Sequence, residues 1–159
     1  MKPIEAYFNA EKYESIVFVL VGMMAMTLAA YFFVKVKQPF YKGMAYPLVA
    51  IAAIQITVGS VIYYRSAKDI ARVNAMVQTD KAKIQTEEIP RMNVVMKNFA
   101  VYKWIEIILI LMGVILFFYF QPASLWKGMG LGLMMQAGMM LLLDFLAESR
   151  GKQYIAYLQ

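Results

Sequence analysis

Two polar stripes interrupt an otherwise apolar chain. Arg91, Asn98, Tyr102 and Glu106 follow one another by steps of seven, four and four; Gln136, Met140, Asp144 and Glu148 follow by steps of four. On a helix, such spacings keep each set on one face. Ionisable groups aligned this way inside a membrane can hold a cation, exchange protons for a cationic substrate or grip an anionic headgroup. Glu14, Arg65 and Lys103 fall at the same margins of apolar sequence. The candidate ligand- or ion-binding set is therefore Glu14, Arg65, Arg91, Asn98, Tyr102, Glu106, Gln136, Asp144 and Glu148. An all-oxygen site from Glu14, Glu106 and Asp144 suits a hard divalent cation, but no spacing motif accompanies it and no metal is assigned. The plainer alternative is that Arg65 and Lys103 neutralise Glu106 and Asp144, anchoring helices at the membrane interface.

What the chain lacks narrows the chemistry. Its 159 residues include no Cys and no His, which removes disulfides, thiolate or imidazole metal ligation and Cys or His catalysis. No nucleophile with a base, no phosphate-binding loop and no complete metal motif appears, so no catalytic residue is named, no cofactor is expected and a non-enzymatic role is favoured. Among the 14 methionines, Met135 and Met139 stand one helical turn apart, a spacing open to copper(I). Without further soft ligands, adaptable packing explains the methionines more simply.

The elements that must position these residues are plain. Hydrophobic residues make up 62% of the chain and charged residues 16%, too little polar surface to enclose a soluble core. Four apolar runs, about residues 15–34, 44–64, 99–120 and 125–146, each match the roughly 20 residues that a 30 Å hydrocarbon core requires. The fold class is all-α: a polytopic membrane protein, a four-transmembrane-helix bundle with a helical extension between the second and third spans, one domain over residues 1–159. The first run is longer than a signal-peptide core and reads as a retained span. Pro39 and Pro122 mark tight connections after the first and third spans. Residues 65–98 contain no Gly and carry Ile70, Val73, Val77 and Ile84 at helical spacing. Thr86 to Pro90 has the acidic and proline signals of a helix start, so the segment forms a projecting helical hairpin. Ala50, Ala53, Thr57 and Ser60 on the second span, and Gly128 and Gly132 on the fourth, form small-residue seams where backbones approach closely.

Four crossings place both termini and residues 65–98 on one side of the membrane. That side carries Lys2, Lys12, Arg65, Lys68, Arg72, Lys81, Lys83, Arg91, Lys97, Lys103, Arg150 and Lys152, against Lys35, Lys37, Lys42 and Lys127 on the other. The positive-inside rule makes it cytoplasmic, in a bacterial inner membrane. Tyr63, Tyr64, Tyr102 and Trp104 at one level, and Tyr41, Tyr46, Tyr119 and Trp126 at the other, form interfacial belts. The net charge of +6 lies between apolar runs, so the partner it faces is the lipid bilayer and not nucleic acid. Because alternate spans reverse direction, Glu14, Arg65, Lys103, Glu106, Asp144 and Glu148 share the cytoplasmic ends of the helices.

From these features the leading expectation is a self-associating homo-oligomer with a pore-like path, or a subunit of a larger membrane complex. The alternative is a small-solute or lipid transporter, or a membrane-embedded enzyme, using the carboxylate and Arg cluster. No family resemblance is claimed. Small multidrug transporters have brief loops and a deeply buried acid, whereas residues 65–98 are long and Glu14 is marginal. The compact Arg, Asn, Glu motif of membrane glutathione transferases is echoed only loosely by Arg91, Asn98 and Glu106.

Overall fold

The computed structural model describes residues 2–159, with side chains from Pro3 onward. Its helices are α1 (Lys2–Lys35), α2 (Pro39–Thr79), α3 (Ile89–Tyr119) and α4 (Leu125–Leu158). A π-helical turn over Ile84–Glu88 leads into α3, and no strand occurs among the described residues. All four helices are long and apolar enough to cross a bilayer. The protein is an all-α, polytopic membrane bundle with a helical extension.

The helices are too long to end at the lipid. The 41 residues of α2 extend about 60 Å at ~1.5 Å per residue, twice a hydrocarbon core of about 30 Å. Sequence periodicity predicts a two-helix projection over residues 65–98; the structure builds four helices there, because α1 begins at Lys2 and α4 runs to Leu158. Packing supplies the reason. Val73 and Met92 would face water in an isolated hairpin, and Ile4, Phe8 and Tyr154 cover them to make a buried cluster beyond the membrane. Tyr7 stacks on Tyr154 at a centroid distance of 4.2 Å.

The α1–α2 pair is held along a heptad line of small residues. Phe8, Ser15, Gly22 and Ala29 on α1 face Ala45, Ala52, Gly59, Ser66 and Val73 on α2, and all are buried. A seven-residue repeat keeps one seam in contact when two helices supercoil left-handedly, and small side chains let the backbones close up. A Cβ on Gly59 would sit 2.9 Å from the Ser15 carbonyl oxygen. The expected seam is a different one and is not used within this chain: Ala50, Ala53 and Thr57 are exposed and Ser60 is only half-buried, because the packed face of α2 lies to one side of them.

The expected Gly128 and Gly132 contact is present. Gly128 faces the Phe40 carbonyl, and a Cβ on Gly132 would stand 2.7 Å from the Met44 carbonyl oxygen and 2.6 Å from the Pro47 ring. Thus α4 lies directly on α2. On its other flank Gly113 of α3 packs on the Gly130 carbonyl. Before α4, Ala123 takes a φ of 67° in the tight turn, and Ser124 Oγ accepts a hydrogen bond from the Lys127 amide at 3.2 Å.

One consequence governs the site. Helix α3 packs along α4, not along α1 or α2. Beyond the membrane the four helices are drawn together by the Ile4, Phe8, Val73, Met92 and Tyr154 cluster. Within the membrane a cleft remains between the α1–α2 pair and α3, with α4 as its floor.

Candidate functional site

The cleft encloses a cavity of about 650 Å³. Helix α1 contributes Glu11, Glu14 and Phe18, and α2 contributes Ile54, Val58 and Arg65. From α3 come Asn98, Phe99, Tyr102 and Glu106; from α4 come Leu143, Asp144 and Arg150. Counting from the far loop, Glu106 precedes Tyr119 by 13 residues, so it lies about 20 Å into a core of roughly 30 Å. By the same ruler Asp144, Glu14 and Arg65 sit nearer the margin on the side of the helical extension. The cavity therefore passes from a charged mouth to a mostly apolar interior carrying an acid in its wall.

The mouth is a ring of ion pairs. Arg65 donates to Glu11 at 3.1 Å and pairs with Asp69 at 3.2 Å, while Arg150 pairs with Glu14. Lys103 pairs with Glu148, which also meets Lys152 at 2.9 Å. The direct ion pairs of Arg65 and Lys103 are thus made with acids other than the expected Glu106 and Asp144, although the charge of Lys103 still reaches Asp144. Extra acids explain the difference: Glu11 and Asp69, brought in by the helical extensions, capture Arg65, and Glu148 captures the Lys103 ammonium.

Glu106 is left without a basic counterpart. It is 2% exposed, no N–H or hydroxyl donor reaches either carboxylate oxygen, and the carboxyl of Asp144 lies within hydrogen-bonding reach of it. Glu106 is the only buried carboxylate with both oxygens free of such donors among the described residues. Asp144, from the facing helix, is its ionisable neighbour. Glu11 Oε2 and Glu14 Oε1 also lack donors and belong to residues of the same wall. A charge in such a place is costly unless something positive joins it, so the arrangement is built to receive a proton or a cationic group.

Six of the nine candidates thus meet at one cavity: Glu14, Arg65, Asn98, Tyr102, Glu106 and Asp144. Arg91, Gln136 and Glu148 lie elsewhere. Glu148 is engaged by Lys103 and Lys152. Gln136 donates to Gln55 at 3.0 Å in a buried bond that ties α4 to α2. Arg91 follows the stripe out of the membrane, because a helical face continues as far as its helix does.

There Arg91 joins a second acid. Glu88 is fully buried and accepts from Arg91 at 2.6 and 2.9 Å, from Arg72 at 2.9 Å and from the Tyr154 hydroxyl at 3.1 Å. Burial alone would raise its pKa, but the hydrogen bonds and charge of Arg91, with Arg72 and Tyr154 adding to them, hold the carboxyl below its usual range. This hub locks the extension shut.

Sequence reasoning missed Glu11, Phe18, Asp69, Glu88 and Arg150. The signal for the first two was available, since Ile4, Glu11, Phe18, Ala25 and Phe32 are spaced by sevens along α1. The divalent-cation reading of Glu14, Glu106 and Asp144 is also corrected. No group of three or more acidic side chains is placed to hold a metal ion among the described residues, and Arg150 occupies Glu14.

Comparison with known protein families, curated proteins and solved structures yields no match. The fold and site define an integral membrane four-helix bundle with a cavity that opens between helices and bears an unpartnered acid.

Proposed function

We propose that this protein is a small membrane carrier that takes an amphipathic molecule from the bilayer into the cleft between the α1–α2 pair and α3. The observation that carries the reading is the pairing of a 650 Å³ cavity with a buried, unpartnered Glu106 in its wall. Small-molecule sites are mostly apolar concavities of about 300–1,000 Å³ with a few placed polar groups. Because α3 runs close alongside α4 and meets α1 and α2 only in the extension beyond the membrane, a molecule dissolved in lipid has a side entrance. The distribution of Lys and Arg favours both termini on the cytoplasmic side of a bacterial inner membrane, which puts the ion-paired mouth at the cytoplasmic surface.

The test is photolabelling in lipid nanodiscs with a neutral alkyl diazirine. Labels are expected on Val58, Leu109 and Leu143 of the cavity as well as on outward residues such as Met24. Val58→Trp, which fills the cleft, should remove the cavity labels alone. Cavity residues that stay unlabelled in the unmodified protein would refute the reading.

One observation favours a second reading, self-association or service within a larger membrane complex. Ala50 and Ala53 present small side chains on a face of α2 that no other helix of this chain covers, and such faces let helices of different chains approach. Particle mass in mild detergent distinguishes the two: a strict monomer with no crosslinked partner removes the second.

A further inference from the structure

The sign of the missing partner can be read from what surrounds it. Neither Glu106 oxygen meets an N–H or hydroxyl donor, and the ionisable group beside it is a second carboxyl, Asp144. The basic side chains at the mouth are committed: Arg65 to Glu11 and Asp69, Arg150 to Glu14, Lys103 to Glu148. Among the described residues no basic side chain pairs with Glu106, so the two carboxyls can either share a proton or receive a cation between them.

Its chemical class follows from the walls. Among the described residues, no three acids are grouped to coordinate a bare metal ion. The space instead has the size of an organic molecule, with Phe18, Phe99 and Tyr102 among its lining residues. Aromatic rings attract organic ammonium groups, which shed water more readily than small inorganic ions. Ile54, Val58 and Leu143 offer apolar surface for the remainder of the molecule.

We infer that the cavity takes a lipophilic organic cation, an amine whose ammonium lies between Glu106 and Asp144 and whose apolar body fills the cleft. The inference rests on the reading of the cleft as a binding site and adds the charge and class of what it binds.

The experiment compares two fluorescent probes in nanodiscs of zwitterionic phosphatidylcholine: a dansyl alkylamine, charged at neutral pH, and its N-acetylated neutral twin. The amine should bind saturably and about tenfold more tightly than the amide. Glu106→Gln and Asp144→Asn should each bring that ratio to about one while amide binding persists, with helicity followed by circular dichroism to certify folding. Saturable binding of neither probe overturns the cavity reading and the inference together. Equal binding of both probes to the unmodified protein, or a preference that survives in both folded variants, overturns the cationic assignment alone and leaves the cavity standing. Displacement of the amine by an equal concentration of sodium ion also overturns it.

Discussion

Glu88 and Glu106 stand 18 residues apart along one continuous helical path and are equally hidden, at 0% and 2% exposure. The first accepts hydrogen bonds from two arginines and a tyrosine; the second meets no basic or hydroxyl donor, only the carboxyl of Asp144. Burial therefore does not separate them, but partnership does. Where the chain must hold four helices together beyond the membrane, it supplies donors from α2, α3 and α4 to one carboxylate. Inside the membrane it leaves an acid in a cavity wall and spends its nearby cations on other acids. A buried carboxylate met by donors is a structural joint, and one met only by another acid is the group on which the proposed binding site rests.

Breaking the satisfied site should have the largest effect. Glu88→Ala leaves Arg72 and Arg91 facing each other without a shared acid, and should cost about 3 kcal/mol. That is the lower end for a buried pair, because both arginines keep some contact with water. Thermal unfolding in detergent should show it as a lowered midpoint. Tyr154→Phe keeps the stack on Tyr7 but removes the hydroxyl from Glu88, and should cost about 1.5 kcal/mol in the same assay.

Acid sharpens the contrast. Because the folded-state pKa of Glu88 lies below its ordinary value, its contribution is complete above the unfolded value and is lost as the pH falls through the folded one. The melting temperature should therefore decline below about pH 4. In Glu88→Gln that decline should be shallower, since the group that titrates is gone. An identical pH profile in the two proteins would remove Glu88 from the role of joint.

The fold was legible because hydrocarbon thickness leaves a length signature. Four runs of about 20 apolar residues can hardly mean anything else. The ends of α1 and α4 were less legible, since Glu5, Glu11, Lys12 and Glu14 mask the helical spacing of Ile4, Phe8 and Ser15. The meeting of Glu14, Arg65, Glu106 and Asp144 at one cavity followed from reversal of direction at each crossing, although Glu106 lies deeper than the other three. Their partners did not, because partner choice depends on how each helix is rotated, and rotation is set by contacts such as Gly59 on Ser15 and Gly132 on Met44. A stripe also has no built-in stop. Arg91 lies 15 residues from Glu106, about 22 Å along the axis, and so belongs to the other carboxylate.

Between the two acids in expected effect stands the Gln136–Gln55 bond. Gln136→Leu leaves the Gln55 amide buried without its donor and should cost about 1 kcal/mol. The double change with Gln55→Leu should recover part of that loss, because two apolar side chains then meet. Non-additivity in a double-mutant cycle measures the bond directly.

The smallest expected effect on stability is the most informative. Glu106→Leu removes a carboxyl whose neighbour is another acid, Asp144, and extends apolar surface already provided by Ile105 and Leu109. Since replacing a buried charge by a hydrocarbon group of similar size relieves desolvation, the melting midpoint should stay level or rise by the equivalent of about 1 kcal/mol. The same replacement at Glu88 should lower it. Opposite signs at two equally buried glutamates would mean that one was kept for the fold and the other in spite of it. A clear loss of stability in Glu106→Leu would instead mean that Glu106 supports the bundle, and the distinction between the two acids would collapse.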